Sequence, residues 1–144
     1  MTEAAQRSTT EPTRIRRSRW MIEDLKHSVE LVPDEAERHY GLALILIMLG
    51  RFNEAVDSLG KAIEANPDHV DALYLRGEIY LKLGEHKKAA ELLEQVVKRD
   101  PDNMTAITWL CLAYYCLGYK GKAMAQQSIL QSVAPDLMVT VLNR

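Results

Sequence analysis

The side chains best suited to chemistry in this chain are four histidines, His27, His39, His69 and His86, and two cysteines, Cys111 and Cys116. Imidazoles and thiolates bind zinc, relay protons or attack carbonyls when they converge on one another or on carboxylates. Their spacing does not provide that convergence. The histidines fall at unrelated places in the chain, and His39, with no second histidine or carboxylate placed to work with it, reads as a packing residue. The two cysteines share one helical pattern, where a disulfide has poor geometry and a metal would lack further ligands. No pattern supplies a nucleophile with its base or a phosphate-cradling glycine loop. The chain is therefore expected to be non-catalytic, with reduced structural thiols, no metal and no cofactor.

The elements around these residues follow an internal period. Pro-Asp occurs at Pro33-Asp34, Pro67-Asp68, Pro101-Asp102 and Pro135-Asp136, each copy 34 residues from the next. Gly50, Gly84 and Gly118 keep the same interval, as do Ala55, Ala89 and Ala123. A fixed period of this length marks a solenoid built from one supersecondary unit. Each unit reads as two helical patterns. Glycine stops the first, because it adopts the left-handed conformation at little cost. Proline stops the second, by disfavouring helix in the residue before it, and the aspartate suits the turn or cap ahead of the next helix.

Helices are predicted over 36–49, 53–65, 70–83, 86–98, 104–117 and 120–133. Before them, 18–33 carries Met21, Leu25, Val29 and Val32 at helical spacing, with Trp20 and Ile22 alongside, and reads as an N-terminal capping helix. Residues 1–17 read as a disordered basic arm. The body, 34–135, divides into repeats over 36–69, 70–103 and 104–137, and 136–144 begins a further first helix that stops early. Its Leu137, Met138, Val139, Val141 and Leu142 suggest self-association at an open solenoid end.

With 144 residues the chain has room for one domain, and its formal charge is −2. Residues 1–19 hold five arginines against two glutamates, a local net of +3, so the remainder carries −5. A mildly acidic body argues against nucleic-acid binding. No stretch is long and apolar enough for stable membrane insertion, and no secretory leader is evident, so a soluble cytoplasmic protein is expected. The arm, with Arg14, Ile15, Arg16, Arg17 and Trp20, reads as a solvated tail in preference to a membrane or nucleic-acid contact.

These residues resemble the tetratricopeptide repeat, a 34-residue helix–turn–helix unit. Counting from Ala36, Val70 and Met104, the small eighth position is Ala43, Gly77 and Cys111, and the small twentieth is Ala55, Ala89 and Ala123. The eleventh is Leu46, Tyr80 and Tyr114, the twenty-fourth Leu59, Leu93 and Gln127, and the thirty-second Pro67, Pro101 and Pro135. The fourth position departs from the family's frequent tryptophan, with His39, Leu73 and Ile107. At the seventh, Arg76 stands between Leu42 and Leu110 and is expected to lay its stem along the helix with its charge in water. Gln126, Gln127, Ser128, Gln131 and Ser132 make the last full helix polar, as a water-facing terminal repeat would be.

The resemblance implies an all-α, right-handed superhelical solenoid of antiparallel helix pairs, whose first helices line a concave face where partners bind. Its inward positions give Tyr40, Leu44, Ile47 and Met48, then Tyr74, Leu75, Glu78 and Leu81, then Thr105, Trp109, Leu112 and Tyr115. Glu37, Gly41, Asp71, Lys82, Thr108 and Cys116 complete the set. The cationic clamp with which some members hold carboxylate-ended peptides is missing, since Tyr40, Leu44, Leu75, Thr105 and Trp109 occupy its places. The expected function is a protein-binding scaffold that takes a hydrophobic or amphipathic peptide or helix in the groove, with Glu37, Asp71 and Glu78 favouring basic residues. Alternatives are a small chaperone shielding hydrophobic segments of an exported client, and a self-associating assembly scaffold.

Overall fold

A computed structural model describes the backbone of residues 13–133, with side chains from Arg19 to Ser132. Seven helices make up the described residues: α1 Thr13–Glu30, α2 Glu35–Met48, α3 Phe52–Ala65, α4 Val70–Lys82, α5 His86–Arg99, α6 Met104–Cys116 and α7 Lys120–Val133. They form an all-α solenoid of helix pairs, α2 with α3, α4 with α5 and α6 with α7, with α3 packing on α4 and α5 on α6.

Local chemistry sets the helix ends. Gly50, Gly84 and Gly118 stand at φ +73°, +80° and +78°, a region that side chains with a Cβ rarely enter. After α2 the amide of Arg51 reaches back to the Leu46 carbonyl and that of Gly50 to Ile47, both at 2.9 Å, satisfying carbonyls that the helix itself leaves open. At the other end of each pair, Asn66 and Asp100 are turned out of the helix at φ −141° and −133°, immediately before Pro67 and Pro101.

The expected aspartate cap holds for one helix only. Asp34 Oδ1 accepts the Glu37 amide at 2.9 Å, but α4 and α6 start one residue later in their units, and His69 and Asn103 cap them. Asp68 instead accepts from Arg99 Nε at 3.3 Å.

Small residues let the paired helices approach. Ala43, Ala55 and Ala89 are wholly buried, and a Cβ added to Gly77 would stand 3.0 Å from Cγ of the buried Leu93. Around them lie two larger core clusters. One joins Ala43, Leu46, Ala55 and Leu59 to Ala72 and Ile79, and the other joins Leu73, Leu93 and Val96 to Leu110 and Tyr114.

α1 starts at Thr13, five residues before the expected boundary of the capping helix at 18, inside the stretch read as an arm. Arginine is a good helix former, and nothing from Thr13 onward breaks the pattern. α1 packs on α2, where a Cβ on Gly41 would come within 3.0 Å of Val29 Cγ2. Gly41 thus meets α1, although its repeat position is an inward one. Of the stripe, Leu25, Val29 and Val32 are partly covered but Met21 is exposed; alongside it Ile22 is partly covered and Trp20 is exposed.

Arg76 departs from the expectation of a charge held in water. Its Nε donates to the Val56 carbonyl of α3 at 3.2 Å, and its guanidinium carbon lies 5.4 Å from the Tyr80 ring centroid. The neighbouring glycine makes this possible, because Gly60 has no side chain to obstruct the guanidinium. Residues 1–12 and 134–144, with most of the arm and the short C-terminal helix expected at 136–144, lie outside the described residues.

Candidate binding groove

α2, α4 and α6 carry the twelve residues expected to line a groove, and none of the twelve is fully buried. On α2, Tyr40 and Ile47 are partly covered and pack against the first core cluster, while Leu44 and Met48 are 41% and 68% exposed. On α4, Tyr74 and Leu81 lean on the second cluster, Leu75 leans on the first, and Glu78 is half-buried. On α6, Thr105 is exposed, Trp109 is partly covered, and Leu112 and Tyr115 are 43% and 72% exposed. Part of the stripe is shared with the core and part is open to solvent.

Two contacts tie successive helices across this face. The Trp109 indole donates through Nε1 to the Tyr74 hydroxyl at 3.1 Å, joining α6 to α4. The Tyr40 and His69 rings stand with centroids 4.8 Å apart, joining α2 to the start of α4.

His69 has a role that its isolated place in the repeat pattern did not announce. Its Nδ1 accepts the Ala72 amide at 3.1 Å, so this nitrogen is unprotonated and Nε2 carries the hydrogen. That N–H donates to Glu37 Oε1 at 2.7 Å. One buried imidazole therefore caps α4, bridges to α2 and packs at a tilt against Tyr40. The signal available in the sequence was its register, since the next repeat has Asn103, an ordinary capping residue, in the same place.

Carboxylates act on two tyrosines of this set. Burial pushes the Tyr40 hydroxyl above its usual range, and Asp71 and Glu37 push in the same direction. Burial likewise raises Tyr74, with Glu78 adding to it and the Trp109 hydrogen bond opposing. Both phenols are held as neutral donors and acceptors. Behind the groove, Tyr114 of α6 donates a short hydrogen bond to Glu94 of α5, another cross-repeat link that the pattern did not single out.

His39 is partly covered and lies 3.9 Å from Glu35, one turn earlier on its own helix. Cys111 and Cys116 are both free thiols, and burial raises the first. Among the described residues no cluster of three or more histidines, cysteines or carboxylates could hold a metal, and no helix is long and apolar enough to cross a membrane.

A solenoid of helix pairs with a partly open face along its first helices defines a helical-repeat scaffold of the kind that binds other proteins. Residues 40–104 match the tetratricopeptide-repeat family model. Two crystal structures of MamA are each 31% identical with TM-scores of 0.70; the alignments cover 81% of this chain and 63% and 68% of theirs. The chain thus spans just under two thirds of the first. MamA residues 41 to the end from Desulfovibrio magneticus RS-1 is 27% identical with a TM-score of 0.74, covering 84% of this chain and 70% of that one. YrrB, described as a TPR protein with an unusual peptide-binding site, is 20% identical with a TM-score of 0.72, over 85% of this chain and 63% of its own, and shares the fold. No curated protein sequence matches the chain. The chain belongs to the tetratricopeptide-repeat family, whose members are in general non-catalytic interaction modules.

Proposed function

We propose that this protein is a non-catalytic scaffold that takes a hydrophobic or amphipathic peptide or helix along its concave face, in a cytoplasmic setting. The observation that supports this reading is the exposure of Leu44, Met48, Leu112 and Tyr115, at 41%, 68%, 43% and 72%, on first helices whose other faces are packed. Large apolar side chains left uncovered mark interaction surfaces, and aromatic residues are frequent energetic anchors there. Tyr40, Ile47, Tyr74, Leu75, Leu81 and Trp109 form the floor, and Glu78 and Thr105 supply polar contacts.

The test uses Leu44→Glu and Leu112→Glu, made singly, with captured partners compared against wild type and helicity checked by circular dichroism. Loss of the same partners in both variants supports the groove. Two folded variants that keep every partner remove it. A small chaperone would use the same face, and its mark in the same capture is an unstable, exported client.

A second reading, self-association, draws on the last repeat. Met124 is 65% exposed where its repeat counterparts Val56 and Ala90 are 6% and 4% exposed, because the next first helix covers those two. Light scattering of wild type and Met124→Glu tests it, and an associated wild type with equal mass per particle in the variant, or a monomeric wild type, would discard it.

A further inference from the structure

The carboxylates of the groove are unevenly placed, and the unevenness has a direction. At the second repeat position stand Glu37, Asp71 and Thr105, and at the ninth Leu44, Glu78 and Leu112. All three carboxylates therefore sit on α2 and α4, and α6 presents none. Glu37 and Asp71 are exposed and Glu78 is half-buried, so their charge faces the groove through a partly desolvated surface. Their effect already reaches the groove floor, since Glu37 and Asp71 act on Tyr40 and Glu78 acts on Tyr74. The one lysine at an inward position, Lys82, has its ammonium 5.8 Å from the Phe52 ring centroid. His69, at the start of α4, is already engaged, with Nδ1 against the Ala72 amide and Nε2 against Glu37.

The inward positions of the third repeat are uncharged: Thr105, Thr108, Trp109, Leu112, Tyr115 and Cys116. Leu112 and Tyr115 are among the exposed apolar residues of the groove. The Trp109–Tyr74 hydrogen bond marks the boundary, with Glu78 acting on the tyrosine side and uncharged residues beyond the indole.

We infer that the groove selects a segment with a cationic block at one end and an apolar block at the other, and seats it in one orientation. The cationic block lies over α2 and α4 against Glu37, Asp71 and Glu78, and the apolar block lies over α6 against Trp109, Leu112 and Tyr115. The inference rests on the groove reading and adds the partner's charge order to it. Its physical basis is that reversing such a segment would place lysines or arginines against apolar side chains with no counter-charge while leaving Asp71 and Glu78 without one.

The probes are two helix-forming peptides of about 18 residues, a length of about 27 Å as helix. They share one composition of lysine, leucine and phenylalanine. The first has its lysines gathered in one half, and the second has them interleaved. Anisotropy titrations are run on wild type, Asp71→Asn, Glu78→Gln and Leu112→Glu, leaving Glu37 intact because it bonds His69. A nitroxide at either end of the first peptide then reports orientation by broadening the Trp109 indole signal, assigned with Trp109→Phe.

The expected result is binding of the blocked peptide about tenfold tighter than the interleaved one, with each carboxylate neutralisation weakening it about threefold and lowering its salt sensitivity. The nitroxide broadens Trp109 from the apolar end only. Equal affinity for the two peptides, indifference to both neutralisations, or broadening from the cationic end overturns the inference. If any of these occurs while Leu112→Glu still abolishes binding, the groove reading stands without the charge order. Full binding by folded Leu112→Glu, or no binding of either peptide to wild type, overturns both.

Discussion

Trp109 and Tyr74 are 35 residues apart and share a hydrogen bond of 3.1 Å from the indole Nε1 to the phenolic oxygen. It sets the positions of two aromatic side chains from adjacent repeats, and so the surface between α4 and α6. Tyr74→Phe removes the acceptor while keeping the ring. Because the site is half-buried, the loss of stability in urea unfolding is expected to be about 0.5–1 kcal/mol. A double-mutant cycle with Trp109→Phe is expected to return a coupling of similar size, and a coupling near zero would show that the bond adds nothing to repeat stacking.

His69 combines a helix cap, a carboxylate contact and a tilted ring contact, so its truncation is expected to cost more than a cap alone. His69→Ala should destabilise by about 1–2 kcal/mol. His69→Asn should recover the capping part, as Asn103 caps α6 through its own side chain, and leave the Glu37 contact missing. Thermal unfolding of the three proteins measures both parts. An asparagine variant as unstable as the alanine one would mean that capping is the smaller contribution.

Gly77 stands where an added methyl meets Leu93, itself wholly buried and unable to withdraw. Alanine is favoured over glycine in helices by about 1 kcal/mol, while overpacking a closed core costs about 1–3 kcal/mol. Overpacking should prevail, and Gly77→Ala is expected to lower the urea midpoint. A raised midpoint would show that the α4–α5 contact has slack.

Leu44→Glu and Leu112→Glu change side chains that are already about two-fifths exposed. Their stability is therefore expected to stay within about 0.5 kcal/mol of wild type. A much larger loss in either would place that residue in the core and make its effect on binding uninformative.

Burial first, and then the hydrogen bond and charge of Glu94, raise Tyr114 above the usual tyrosine value of 10.0. A phenol that holds its proton more tightly when folded stabilises the fold fully below its unfolded value, and loses that contribution as pH climbs through the folded one. Unfolding free energy should thus decline above about pH 10, and Tyr114→Phe should decline less steeply. Tyr40, Tyr74 and Cys111 are raised as well, so some slope should remain in the variant. Parallel curves for wild type and variant would remove Tyr114 from the account.

The amino-acid sequence by itself determined the period and the helices of the three repeats to within a residue, because the signals that end a helix are local. A glycine at positive φ and a proline after the last turn act on their immediate neighbours, and both recur every 34 residues. The small residues at repeated positions likewise announced close packing, and Ala43, Ala55 and Ala89 are buried accordingly. The same register, through the family resemblance, pointed to twelve candidate groove residues, but exposure depends on what the other helices cover. Only the tertiary structure decided that Leu75 and Leu81 lean on the core while Met48 and Tyr115 stand open. It also decided the partners of His69, Arg76 and Tyr114, which are distances between residues far apart in the chain. Such distances come from the stacking of repeats, and a repeat pattern read along one chain does not contain them.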